Sequence, residues 1–205
     1  MSPAPPPMRP RAAFIDRDGV INVEAAYVYR VEDFVFLPGA IAALRDLQTA
    51  GYLLVVITNQ SGIARGMYTE ADYHRLTRYM QEQLAAAGVH LSAVEYCPHL
   101  PDAQIEAYRQ DCSCRKPGTG MLLRAARALN IDLSASILVG DRASDIQAGR
   151  SAGVGRCWMV RSGHPLSDSD MALADAVFDD LAACARQVLR ESEGPGSEGV
   201  RSYPG

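Results

Sequence analysis

The stretch Phe14-Ile15-Asp16-Arg17-Asp18-Gly19-Val20-Ile21 constrains the fold more than any other part of the chain. A short apolar run beginning at Ala12 ends in two acids one residue apart, and a glycine follows. Read as a buried parallel strand, Ala12 to Ile15 delivers Asp16 to the mouth of an α/β sheet, the edge at which such folds bind ligands. Asp18 then stands on the turn beyond, where Gly19 permits backbone geometry that a Cβ would forbid. A carboxylate at a strand end can hold a metal or attack phosphorus, and a second one beside it can move protons. Short D-x-D strings also arise by chance in solvated turns, so the remaining strands decide.

Tyr52 to Ile57 is a continuous apolar, β-branched run, as expected of a strand covered on both faces, and it gives way to Thr58-Asn59-Gln60-Ser61-Gly62. Ser136 to Val139 reads as a third strand and runs into Gly140-Asp141-Arg142-Ala143-Ser144-Asp145. Between them, Pro38-Gly39 introduces a helix with Ile41, Leu44 and Leu47 on one face and Gly51 at its end. Thr69 with Asp72 opens a longer helix whose stripe is Tyr73, Leu76, Met80 and Leu84 and whose stop is Gly88. Further helices are predicted around Met121 to Leu129, at Ile146 to Ala148 before Gly153, and over Leu181 to Arg190, with short strands at Cys157 to Val160 and Ala176 to Phe178. Val89 to Lys116, interrupted by Pro98 and Pro101, is expected to be irregular. Strands alternating with helices predict a parallel α/β sheet, Rossmann-like, with helices on both faces. Asp16/Asp18, Thr58/Asn59 and Asp141/Asp145 then all project from one edge.

The 205 residues, 48% hydrophobic and 21% charged, suit one globular domain, placed at 12–190. The proline-rich stretch 1–11 and the Gly/Ser/Glu/Pro-rich stretch 191–205 read as disordered tails. A formal net charge of -4 without a lysine run gives no electrostatic footprint for nucleic acid. No apolar stretch approaches the roughly 20 residues of a membrane span, and the amino end lacks the apolar core of a secretory signal. A cytoplasmic monomer acting on a small molecule is the expectation.

Three of the five cysteines cluster. Cys97-Pro98-His99 and Cys112-Ser113-Cys114 form C-x-H and C-x-C pairs, separated by 12 residues, enough for a hairpin to bring them together. Three thiolates and one imidazole match a closed, structural Zn²⁺ site with no position left for water. Such a loop, drawn at 95–116, buries little core of its own, and metal binding would order it. Arg115 and Lys116 follow the last ligand directly, so the loop would hold both cations against the active edge.

Asp16-x-Asp18-Gly19, Thr58 after its strand, Lys116, and Gly140-Asp141-x-x-x-Asp145, in that order, make the chain resemble the haloacid dehalogenase (HAD) superfamily of phosphotransferases. The resemblance implies Asp16 as nucleophile toward a phosphate monoester and Asp18 as proton donor and acceptor. It implies Mg²⁺ bound by Asp16, Asp141 and the backbone carbonyl of Asp18, with Thr58 donating to a phosphoryl oxygen and Lys116 neutralising charge. Asp145 fits either support of the metal or capping of its own helix. Taken singly, Thr58 could merely end a strand and Lys116 could be solvated.

The Cys-Pro-His string, the Cys-x-Cys-Arg-Lys-Pro run and Thr58-Asn59-Gln60-Ser61-Gly62 with Arg65 narrow the resemblance to the branch holding heptose-bisphosphate and histidinol-phosphate phosphatases. That branch implies a capless enzyme whose selectivity lies in loops. Its activity would be removal of the C7 phosphate of a heptose bisphosphate, on the route to nucleotide-activated heptose for cell-surface polysaccharide. The matching substrate positions are Glu24, Tyr27, Thr58, Asn59, Gln60, Ser61, Arg65, Arg115, Lys116 and Arg142. Glu24-Ala25-Ala26-Tyr27 departs from the pattern by lacking a glycine and a histidine, and Arg142 stands where lysine is also common. Glu24 and Arg65 equally suit a solvated loop. Histidinol-phosphate hydrolysis and a non-catalytic zinc module binding phosphorylated ligands are the competing readings, with a polynucleotide phosphatase weaker for want of a basic patch.

Overall fold

In the computed structural model, which describes residues 8–193, the strands are β1 (Ala12–Ile15), β2 (Leu53–Asn59), β3 (Leu91–Cys97), β4 (Ile137–Gly140), β5 (Arg156–Val160) and β6 (Ala176–Phe178). They form one sheet in the order β3-β2-β1-β4-β5-β6, every pairing parallel. The chain winds outward from β1 to β3, then crosses back to lay β4 on the other side of β1. The crevice between the carboxyl ends of β1 and β4 is therefore the switch point at which open α/β sheets bind ligands. It opens with Asp16 N donating to Val139 O at 3.0 Å.

Alternate side chains of each central strand feed opposite cores, because successive Cβ atoms point to opposite faces. Ala13, Ile15, Leu54, Val56, Ile137 and Val139 pack on one face with α1 (Ala40–Thr49), α3 (Glu70–Ala86) and α7 (Leu181–Glu193). Phe14, Val55, Ile57 and Leu138 pack on the other with α4 (Gly120–Ala128) and α5 (Ala143–Ala152). α3 starts as its sequence predicts, in a capping box: Thr69 Oγ1 accepts from Asp72 N, and Asp72 Oδ2 accepts from Thr69 N at 2.9 Å. Two four-residue helices escaped the sequence pattern, α2 (Ser61–Ala64) and α6 (Asp168–Met171).

One expectation fails outright. Val89 to Lys116 is not irregular throughout, since Leu91 to Cys97 forms β3, paired with β2 from Leu54↔Leu91 to Asn59↔Cys97. As an edge strand paired on one side only, it carries Ser92 and Glu95 among its apolar residues, which hides it from a search for continuous apolar runs. The cysteine loop thus hangs from the end of a strand.

Of the expected tail 1–11, residues 1–7 lie outside the described residues. Arg9 donates to Asn130 O, Pro10 O accepts from Asp132 N at 2.8 Å, and Arg11 O accepts from Leu53 N at 2.9 Å. At the other end α7 runs on through Glu191 and Ser192, and 194–205 lie outside the described residues. Between β1 and β2 the described chain holds loops, one 3-10 turn at Val31–Asp33 and α1, with no cap domain. No helix among the described residues is long and apolar enough to cross a membrane.

Gly149, inside α5, shows how tightly the second core is closed. A Cβ there would lie 2.6 Å from Cys157 Sγ and 3.0 Å from Leu138 Cδ1. Alanine would gain about 1 kcal/mol of helix propensity against about 1–3 kcal/mol of overpacking. Gly149→Ala is expected to lower stability by about 1 kcal/mol in urea denaturation, and Cys157→Ala in the same chain to recover part of that loss.

Candidate active site

Asp16 ends β1, Asp141 follows β4, and Asp145 lies in the first turn of α5. All three are buried, and their carboxylate oxygens come within 4.8 Å of one another. Lys116 reaches them from the cysteine loop. Its Nζ sits 2.9 Å from Asp16 Oδ1 and 2.6 Å from Asp145 Oδ1, and donates to Ile57 O at 2.9 Å. Burial works against the ammonium charge, but the Asp145 and Asp16 carboxylates outweigh it and raise the lysine's pKa above its ordinary value. Burial raises the Asp16 carboxyl well above the usual carboxylate range; Asp145 and Asp141 add to this, and Lys116 opposes it.

Three carboxylates against one ammonium leave negative charge in a water-poor place, where a cation is the remedy. Asp141 Oδ1, buried and without a partner, supplies an observation of the same kind. A hard-oxygen set of this sort fits Mg²⁺, with Asp16 and Asp141 as its carboxylate ligands. Asp145 serves its helix as well: its Oδ2 accepts from Arg142 N at 3.0 Å, the capping role its position allowed.

Asp18 is caged. Arg17, only 2% exposed, donates Nε and Nη2 to Asp18 Oδ1 at 3.2 and 3.0 Å and Nη2 to Oδ2 at 2.9 Å. Asn22 Nδ2 adds a bond to Oδ1 at 3.0 Å, and Gln60 Nε2 one to Oδ2 at 3.1 Å. Both oxygens therefore accept, as a carboxylate's should. Sequence reading missed Arg17 and Asn22, although Arg17 stands inside the motif between the two acids.

The Thr58 turn splits its work. Thr58 Oγ1 accepts from Gln60 Nε2 at 2.8 Å, and Gln60 Oε1 accepts from the Tyr68 hydroxyl at 2.6 Å. Tyr68 fixes which way the amide faces, and the amide in turn leaves the Thr58 hydroxyl proton free to point into the cleft. Asn59 turns the other way: its Oδ1 accepts from Lys116 N at 3.0 Å and its Nδ2 donates to Lys116 O at 3.1 Å. Asn59 and Gln60, expected as substrate contacts, thus hold other residues in place.

Asp16, Asp18, Thr58, Asn59, Gln60, Ser61 and Lys116 line a cleft of about 650 Å³, with Asp145 at its base. Glu24, Tyr27, Arg65, Arg115 and Arg142 stand at its rim, so the structure brings every expected substrate position to one place. Asp141 lies beneath the lining. His164, Tyr68 and Ser144, which sequence reading did not single out, also line it.

Cys97 at the end of β3, His99, Cys112 and Cys114 converge beside this cleft. The Sγ atoms of Cys97, Cys112 and Cys114 lie 3.0–3.4 Å apart, and His99 Nδ1 is 3.3 Å from Cys114 Sγ. Disulfides, with sulfurs about 2.05 Å apart, are thereby excluded. Three sulfurs and one nitrogen around a common centre fit a closed tetrahedral Zn²⁺ site.

A parallel sheet with this acid and lysine cluster at its switch point defines a HAD-type hydrolase, and a family model described as HAD-hydrolase-like matches residues 113–184. The chain is 45% identical over 182 residues to the D-glycero-beta-D-manno-heptose-1,7-bisphosphate 7-phosphatase of Escherichia coli K12, spanning 89% of this chain and 95% of that protein. It is 48% identical over 182 residues to the protein of the same name in Salmonella typhi, spanning 89% and 97%. A solved structure of D,D-heptose 1,7-bisphosphate phosphatase from B. bronchiseptica, complexed with magnesium and phosphate, superimposes with a TM-score of 0.76 at 35% identity, covering 88% of this chain and 99% of that one. The chain belongs to the family of heptose-1,7-bisphosphate 7-phosphatases, and it is a phosphoric monoester hydrolase.

Hydrogen bonds to charged groups are worth about 1.5–3 kcal/mol, so Gln60→Leu is expected to lower kcat about 10–100-fold. KM should stay nearly constant in steady-state kinetics. A raised KM with kcat intact would instead make Gln60 a substrate contact.

Proposed function

We propose that the chain hydrolyses the C7 phosphate of D-glycero-β-D-manno-heptose 1,7-bisphosphate, releasing inorganic phosphate and the 1-phosphate, in the supply of nucleotide-activated heptose for cell-surface polysaccharide. The observation that carries the reading is the Asp16–Lys116–Asp145 cluster with Asp18 and Thr58 in one cleft, in a chain of this family. The substrate's two anionic ends suit the division of the site. One end meets the acid and lysine cluster, and the other meets the rim cations Arg65, Arg115 and Arg142.

Phosphoryl transfer from a dianionic monoester is mostly positioning and charge neutralisation. Asp16 attacks phosphorus in line, the C7 oxygen departs with a proton from Asp18, and an aspartyl-phosphate forms on Asp16. Asp18 then takes a proton from the water that hydrolyses the aspartyl-phosphate, and its donors hold the carboxylate in place for both transfers. Thr58 donates to a phosphoryl oxygen, and Lys116 faces the charge that builds there. Mg²⁺, when held by Asp16, Asp141 and the Asp18 carbonyl, supplies positive charge to the phosphoryl oxygens. Cys97, His99, Cys112 and Cys114 would hold a structural Zn²⁺, which would fix the segment that carries Arg115 and Lys116. The same reading takes the chain as a cytoplasmic monomer, with no nucleic acid or membrane partner.

The deciding assay is Mg²⁺-dependent phosphate release from both anomers of the heptose bisphosphate and from histidinol phosphate. Turnover is expected on the β-anomer first, and Asp16→Asn should lower kcat by on the order of 10³ or more. Turnover on histidinol phosphate alone would replace the substrate and keep the mechanism. Zinc withdrawal is a separate check. A zinc-selective chelator with Mg²⁺ in excess, or Cys112→Ser, should lower the thermal midpoint and abolish phosphate release together, because binding free energies of about 10–16 kcal/mol in small zinc peptides order such loops.

A further inference from the structure

The segment after β5, Arg161 to Pro165, holds none of the residues the sequence pointed to, yet it is built against the deepest carboxylate of the cleft. Asp141 Oδ2 accepts from the backbone N of His164 at 3.0 Å and faces His164 Nδ1 at 2.7 Å. The space around that oxygen is closed by two glycines. A Cβ on Gly163 would lie 2.0 Å from Oδ2, and one on Gly19 would lie 2.5 Å from it. The Ser162 hydroxyl ties the segment to the first acidic turn, donating to Gly19 O at 2.7 Å. The outer ring nitrogen, Nε2, meets Arg142 Nη2. A guanidinium only donates, so Nε2 accepts from it, and the ring proton then sits on Nδ1, aimed at Asp141.

We infer that His164 is a positioning residue for the magnesium site, holding Asp141 by Oδ2 so that the unpartnered Oδ1 is presented to the cation shared with Asp16. The inference rests on the reading of Asp141 as a metal ligand. A carboxylate that rotates about its last bond must be ordered each time a cation binds. Two donors on one oxygen, with no room for the group to turn, remove that cost beforehand. Hydrogen-bonded partners behind metal ligands are commonly worth 10–100-fold in affinity. The ring also joins the rim to the metal, because its other nitrogen engages the cleft-lining Arg142.

The test is Mn²⁺ titration of the zinc-loaded, magnesium-free protein, read by electron paramagnetic resonance, beside the Mg²⁺ concentration giving half-maximal phosphate release. His164→Ala should weaken Mn²⁺ binding and raise that Mg²⁺ concentration about 10–100-fold. Because the ring is partly exposed, the variant should remain folded at the assay temperature, as checked by circular dichroism without divalent cation. His164→Asn places an amide nitrogen where Nδ1 stands and should recover most of the affinity. An alanine variant that binds Mn²⁺ within about twofold of the parent, or an asparagine variant no better than alanine, overturns the inference. Asp141→Asn separates the two failures: if it too binds Mn²⁺ as tightly as the parent, the metal reading of Asp141 falls first.

Discussion

One buried ammonium, Lys116 Nζ shared between Asp16 and Asp145, is the interaction on which the rest of the site depends. Burying ions costs several kcal/mol each, and attraction offsets this only where geometry is good and the remaining donors are bonded. Here the third donor direction is taken by Ile57 O. Even so the balance is negative, because Asp141 adds a third carboxylate with nothing opposite its Oδ1. A fold seeking stability alone would not gather these groups. A site that must receive a cation and a phosphoryl dianion gains from having them placed in advance, since no reorganisation is then needed as charge moves.

Lys116 does not belong to the sheet, so something must carry it there. Asn59, at the end of β2, grips its backbone on both sides, amide to amide. Cys114 stands two residues before it and draws that backbone into the sulfur cluster. On the far side, Gly120 N donates to Ser113 O at 2.7 Å, and a Cβ on Gly118 would lie 2.4 Å from the same oxygen. The cysteine loop is thereby a mechanical part: its sulfurs lie outside the acid and lysine cluster, yet the loop fixes where the lysine emerges. The adjacent Asn59 and Gln60 show how one turn serves two ends, the first positioning the lysine and the second positioning Thr58 and Asp18.

The parts legible in the sequence are those whose physics is local or periodic. β1, β2 and β4 announce themselves because parallel strands covered on both faces are apolar throughout, and α3 because its capping pair precedes its stripe. The convergence of Cys97, His99, Cys112 and Cys114 is legible from two short pairs and the reach between them. β3 escaped because an edge strand is half polar, and its partner lies across a helix in the sequence. Arg17, Tyr68 and His164 escaped for a different reason. They act through the direction in which a side chain points, across separations such as 43 residues from Arg17 to Gln60. Nothing in composition or spacing records a direction. Gln60 is the instructive intermediate: its position in the turn was readable, but its bonds to Asp18, Thr58 and Tyr68 were not.

The loop from Glu24 to Tyr27, which lines the cleft, is held in an unfavourable shape. Ala26 and Tyr27 have φ of +34° and +69°, a region that costs a residue with a Cβ roughly 1–2 kcal/mol. The strain persists because the surroundings fix it. Glu24 Oε1 accepts from Ala26 N at 3.1 Å, and a Cβ on Gly62 would lie 2.9 Å from the Tyr27 ring. Glu24 therefore shapes the loop from within, and burial raises its carboxyl above the usual range, with Asp18 adding to the effect. Two residues on, Tyr29 stacks on Tyr68 with ring centroids 5.1 Å apart, and Tyr68 binds the Gln60 amide that faces Asp18. The Glu24 to Tyr27 loop and the Asp18 carboxylate are thus joined by one stacked ring and one amide.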